Sequence, residues 1–130
     1  MIEIENLEEH LHQITQEEWR KLFNIISEII ETKDFGNYID NAKIVSNTLQ
    51  IIYDLNLPPI FNWSDWSFGR EFLMSDNFDY TNLDKITLCK LITCIVRYNR
   101  FNEGYTLRCF ENRTFEKILI NLKKEIEKIE

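Results

Sequence analysis

Glycine and proline together supply only five of the 130 residues, and alanine occurs once, at Ala42. So little glycine and proline excludes collagen-like, linker-rich and disordered chains, which need more of both or far fewer large apolar side chains. The three glycines, Gly36, Gly69 and Gly104, stand alone, which excludes the usual dinucleotide fingerprint and the phosphate-binding loop. No G-x-S-x-G elbow is present either. Cysteine occurs three times, at Cys89, Cys94 and Cys109, without a C-x-x-C pair. The thiols therefore read as small buried side chains and not as a disulfide frame or a zinc site. No apolar run reaches the roughly 18 to 20 residues of a membrane span. The longest, Ile86 to Val96, is broken by Lys90 and Thr93.

Metal-binding patterns are also missing. His10 and His12 lie two apart and point to opposite sides of a helix, so they cannot share an ion. Asp76, Asp79 and Asp84 lack the glycine and the terminal glutamate of a calcium loop and read as a solvated loop. No cofactor and no metal are expected. The start, Met1-Ile2-Glu3-Ile4-Glu5, is acidic where an export signal is basic, which gives the expectation of a cytoplasmic protein.

What is present is acid, unevenly spread. The net charge is −7, from 15 basic and 22 acidic residues. Residues 1–32 carry −6 and residues 33–82 carry −4, residues 83–113 reverse to +3, and the remainder balances. A chain this acidic is repelled at long range by nucleic acid and by anionic membranes, and attracts a basic partner. Neither direct nucleic-acid binding nor membrane binding is expected.

Apolar residues recur at three-to-four spacing and almost never alternate, so helices dominate. Asn6 is placed to cap a short first helix. Thr15-Gln16-Glu17-Glu18 is a capping box ahead of a stripe formed by Trp19, Leu22, Phe23, Ile26, Ile29 and Ile30, with Gly36 as a stop. A third helix spans about Ile39 to Leu55, with Ile44, Val45, Leu49, Ile52 and Tyr53 inward, and Pro58-Pro59 ends it. Residues 60–80 hold seven of the seventeen aromatics, and Ser64 to Met74 reads as a short helix. Asn82 is placed to cap the strongest element, Leu83 to about Arg100. Lys85, Lys90, Thr93, Arg97 and Arg100 share an arc of about 140° on it, and apolar residues fill most of the rest. Two further helices end at Glu111 and begin at Thr114. The expectation is one all-α domain over residues 1–130, of five to seven helices around the buried element at 83–100, with at most a minor hairpin.

Two regions stand out as candidate sites. Arg97, Arg100 and Glu103 follow one face of a helix end, and Arg108 and Arg113 come from the next segment. Guanidinium groups there serve an internal ion-pair network with Glu103, a phosphate or nucleotide with nearby aromatics stacking a base, or a partner-contacting surface. The Trp63–Trp66 segment is either core or a binding surface.

The stretch from Leu88 to Gly104 resembles the hallmark of a bacterial family of small single-domain proteins without assigned activity. That hallmark is an apolar helix, then V-R, two residues, R-F, one residue, an acid and glycine. Here it reads Val96-Arg97-Tyr98-Asn99-Arg100-Phe101-Asn102-Glu103-Gly104. The similarity extends to Trp66-Ser67-Phe68-Gly69 and to Phe110-Glu111-Asn112 with Ile118-Leu119, about residues 58–122, and leaves the acidic helices at 1–56 outside it. It implies a fold and a region of interest but no reaction. Where the family carries glycine after the acidic turn residue, this chain has Asn112-Arg113, and asparagine is expected to take the left-handed turn.

The leading functional expectation is a protein-binding module without catalysis of its own. It would be of the antitoxin or immunity type, or a phage anti-defence inhibitor. A basic, nucleic-acid-handling protein would be captured by Glu17, Glu18, Glu28 and Glu31, with Trp63 and Trp66 as anchors. The alternatives are a nucleotide- or phosphate-ligand domain, enzymatic or not, built on Arg97, Arg100, Glu103 and Arg108, and a structural subunit of a larger complex.

Overall fold

The computed structural model describes residues 2–35, 39–75 and 77–128, with only the backbone described at 39–42. Gly36 and Asp76 lie outside the described residues. Seven α-helices carry the chain: α1 (Leu7–Gln13), α2 (Gln16–Glu31), α3 (Ile39–Asp54), α4 (Ser67–Met74), α5 (Lys85–Tyr98), α6 (Tyr105–Glu111) and α7 (Thr114–Glu127). No helix among the described residues is long and apolar enough to cross a membrane.

Local chemistry explains where the helices begin and end. The capping box of α2 closes from both sides: the Glu18 amide donates to Thr15 Oγ1 at 3.1 Å, and the Thr15 amide donates to Glu18 Oε1 at 3.0 Å. The Thr15 backbone bond, then its hydroxyl, holds the Glu18 carboxyl below its ordinary range. Because the folded value is the lower one, this contribution is complete above the ordinary carboxylate range and is lost as pH falls through it.

α3 stops before the prolines. Asn56 turns left-handed at φ 55°. The Leu57 amide then donates to Ile52 O and the Asn56 amide to Tyr53 O, a Schellman motif whose paired apolar residues, Ile52 and Leu57, are both buried. His10 closes the same helix end from α1, its Nε2 lying 2.7 Å from Leu55 O. Tyr53, expected inward, is exposed, as is Ile30 on α2, whereas Ile25 is buried. On α5 the cap is Asp84, not Asn82: Asp84 Oδ1 accepts from the Thr87 amide at 2.7 Å.

α5 is the centre. Leu88, Cys89, Leu91, Ile92, Thr93, Cys94 and Ile95 are all buried on it. It packs against α4, α6 and α7, while α2 packs against α3 and α7. Each fully buried Leu or Ile contributes about 1.5–3 kcal/mol of transfer free energy. The strands among the described residues form one short parallel pair, β1 (Ile2–Glu3) beside β2 (Pro59–Ile60), with Ile2 opposite Pro59. The pairing is parallel because three helices separate the strands and bring the chain back in the same direction.

The residue that turns left-handed between α6 and α7 is Arg113 at φ 69°, whereas Asn112 stays at φ −89°. A non-glycine residue there costs about 1–2 kcal/mol. Bonds made by the guanidinium offset that cost. Nη1 donates to Ile29 O at 2.9 Å and Nη2 to Thr32 O at 2.7 Å, Glu116 pairs with Nη1 at 3.1 Å, and the group lies over the Phe35 ring. A cation thus sits on the carbonyl end of α2 and ties it to the start of α7. Arg113→Ala is expected to lower the unfolding free energy by about 2 kcal/mol, since hydrogen bonds from a charged donor are lost. Arg113→Gly should lose about 1 kcal/mol less, because it also removes the left-handed strain. Urea denaturation of the two variants reads the difference, and equal losses would remove the strain argument.

Candidate functional site

The cationic arc of α5 faces the segment at 59–66. Thr93 Oγ1 donates to Pro59 O at 2.9 Å in a buried bond, which pins β2 to the helix. One turn earlier, Lys90 Nζ lies 4.0 Å from the Trp66 ring centre and 4.8 Å from that of Phe61. Such contacts contribute about 0.5–1 kcal/mol each at partly exposed sites. Trp66 in turn rests on Gly69: a Cβ there would stand 2.7 Å from Trp66 Cε3 and 2.9 Å from Cys94 Sγ. Only glycine lets α4 lie this close to α5, which explains the W-x-x-G spacing.

One turn later on α5 come Arg97 and Arg100, at the turn before α6. Asn99 Oδ1 accepts from the Thr106 amide at 3.1 Å, Asn102 Oδ1 accepts from Arg108 Nη2 at 2.6 Å, and Gly104 supplies φ 85°. These groups hold the turn. Glu103 is exposed, and among the described residues no ion pair joins it to Arg97 or Arg100. Arg108 is spent on Asn102, so it belongs to the turn's framework.

The two arginines open onto a cleft of about 380 Å³ whose walls are Ile60, Phe61, Trp63, Ser64, Thr93 and Phe101. The Trp63 and Phe101 rings meet at 6.2 Å, tilted by 46°, and form a ridge. Beyond that ridge lies a second cleft of about 370 Å³, floored by Leu73, Met74 and Tyr98 and edged by Arg70. Phe101 is 77% exposed and Met74 83% exposed, a large uncovered apolar area for a chain of this size. Trp63 and Trp66 are both half-buried, but Trp66 is committed to Lys90, Phe61 and Phe68. The ridge partner Phe101 and the floor residue Met74 were not singled out from sequence. The R-F of the hallmark was the one signal that could have pointed to Phe101.

Glu17, Glu28 and Glu31 are exposed along one face of α2, and no ion pair engages them among the described residues. Glu18 is exposed too, but its carboxylate is held by Thr15. The packing that holds α2 is with α3 and α7, and the packing that holds Trp63 and Trp66 is with α4 and α5. The glutamates and the tryptophans are thus carried by elements with different packing partners.

The three thiols are free and buried. Burial pushes Cys89 and Cys94 up to about 12 and Cys109 up to about 11, so none is a thiolate near neutrality. Among the described residues no group of three or more His, Cys, Asp or Glu side chains is placed to hold a metal ion.

A family model described as a family of unknown function, DUF6508, matches residues 14–128. The match takes in α2 and α3, beyond the 58–122 over which the motif resemblance was read. No curated protein and no solved structure matches the chain.

Two outcomes follow from this geometry. A thiol reagent at pH 8 should label none of the three cysteines in the folded protein and all three in urea, read by mass spectrometry. Gly69→Ala should destabilise by about 1–3 kcal/mol through overpacking against Trp66 and Cys94. A melting temperature equal to that of the parent protein would show that the α4–α5 approach is looser than described.

Proposed function

The chain belongs to the family of unknown function DUF6508, and we propose that it is a protein-binding module without catalysis of its own. It is of the antitoxin, immunity or phage anti-defence inhibitor type, and it captures a basic, nucleic-acid-handling protein. The observation that supports this reading most is the row of unpaired carboxylates on α2. Glu28 and Glu31 follow Glu17 by about three and four helical turns, so all three project from one side of the helix. Arg20 and Lys21 are the cations between them, and the net charge of −7 adds long-range attraction for a positive partner. Charge of this kind acts on encounter rate and partner choice more than on affinity. Affinity then needs an apolar anchor, and the exposed Phe101 and Met74 beside Trp63 are of the types enriched at such anchors.

The test is capture from the native host with the tagged protein and with the triple variant Glu17→Lys, Glu28→Lys, Glu31→Lys. Glu18 is left intact because the capping box needs it. One stoichiometric basic protein should be held by the parent chain at low salt. It should be released near 1 M salt, where the screening length falls to about 3 Å, and be absent from the variant. Equal capture by the folded variant would retire the proposal.

A further inference from the structure

We infer that the cleft between α5 and the 60–64 segment is a binding site for a phosphorylated compound carrying an aromatic ring, of the size of a nucleoside monophosphate. This site is independent of the glutamates of α2.

In a chain of net charge −7, the side of α5 that faces residues 59–66 carries Lys90 and Arg97, and Arg100 follows in the turn after the helix. Lys90 is covered by the Phe61 and Trp66 rings, which leaves the two arginines to line the cleft. The turn behind them is built by Asn99, Asn102, Arg108 and Gly104, so holding the turn does not explain Arg100. Arg100 is exposed and has no ion pair among the described residues. Arg97 lines the same cleft, and the Arg100 guanidinium offers forked donors to the oxygens of one phosphate, a geometry that an ammonium cannot supply.

The rest of the cleft is apolar and aromatic. Its volume of about 380 Å³ lies within the roughly 300–1,000 Å³ range of small-molecule sites. Trp63 and Phe101 already touch each other at 6.2 Å, so a ligand's ring stacks on the cleft-side face of one of them and not between the two. Each base–aromatic stack contributes about 1–3 kcal/mol and is tolerant of base identity. Ser64 stands at the same wall with a hydroxyl, which donates at present to Asn62 Oδ1 at 3.2 Å. The acidic remainder of the molecule opposes an anion only weakly here, because at physiological ionic strength charges are screened over about 8 Å. Nearer carboxylates are few: Glu103 points to solvent, and Asp65 accepts from Asn62 Nδ2.

The test is a titration of the full chain with adenosine 5′-monophosphate, adenosine and inorganic phosphate, followed by backbone amide shifts. The monophosphate should move residues 60–64, 93 and 97–101, and should bind at least about tenfold more tightly than either fragment, as expected when ring and phosphate both contribute. Arg100→Gln, at an exposed position, should weaken it about tenfold while the melting temperature stays unchanged. Phe101→Ser, also exposed, should bring the monophosphate down toward the level of phosphate alone. A 5′-phosphorylated trinucleotide that binds more tightly than the monophosphate would assign the unit to a nucleic-acid end, and weaker binding would assign it to a free nucleotide. The proposal fails if the monophosphate moves no residue of the cleft at millimolar concentration, if phosphate alone binds as tightly, or if both variants bind as the parent does.

Discussion

A helix buried on most of its circumference but carrying a row of cations imposes the constraint from which the rest of this molecule follows. α5 supplies seven buried residues to the core, yet Lys90 and Arg97 share its remaining face and Arg100 follows in the turn beyond its end. An ammonium or guanidinium cannot enter the apolar interior unpaired without a large desolvation cost. That face must therefore be met by something other than a packed helix. The chain meets it with an extended segment: β2 is fixed by the Thr93–Pro59 bond, and Phe61 and Trp66 lay their rings against Lys90. Where the rings end, the arginines emerge beside Trp63 and Phe101, and a cleft remains. The candidate site is thus the edge of a packing problem solved by aromatic cover.

Arg113 shows the opposite fate for a cation of the same basic segment. It occupies a backbone conformation suited to glycine, and its side chain offsets the strain by serving two carbonyls at the end of α2 and the carboxylate of Glu116. α2 lies more than eighty residues away in sequence, so the turn between α6 and α7 is strained locally and stabilised by a distant element. Arg108 is likewise committed, through Asn102. Of the cations that make residues 83–113 basic, Arg108 and Arg113 hold turns of the fold, whereas Arg97 and Arg100 line a cleft.

The acidic and basic features are divided between helices. α2 carries its exposed carboxylates while packing on α3 and α7, and α5 carries the arginines against the 59–66 segment. A surface row of carboxylates acts at a distance and fades with salt, whereas paired arginines beside stacked rings act at contact. The two features belong to different elements, and each can be altered without touching the other.

The capping box at Thr15, the three-to-four spacing of α2 and α5, the isolated glycines and the absence of catalytic spacings were all legible in the residues, because they depend on neighbours within about one helical turn. The all-α architecture and the central place of α5 followed from the same local periodicity. Three things were decided only by tertiary contact. The first is that Arg113 rather than Asn112 turns left-handed, since the carbonyls that reward Arg113 belong to α2. The second is the parallel pairing of Ile2–Glu3 with Pro59–Ile60, between segments that carry no strand pattern of their own. The third is the separation of Glu103 from Arg97 and Arg100. Spacing alone placed these three within reach, but the turn at 99–104 is closed by asparagine side chains and a left-handed glycine, which leave Glu103 in solvent. Local sequence determines which helices form and where they start, because those energies are short-ranged. Which charges are spent on the fold and which line a cleft depends on groups far apart in the chain, and only the packed structure brings them together.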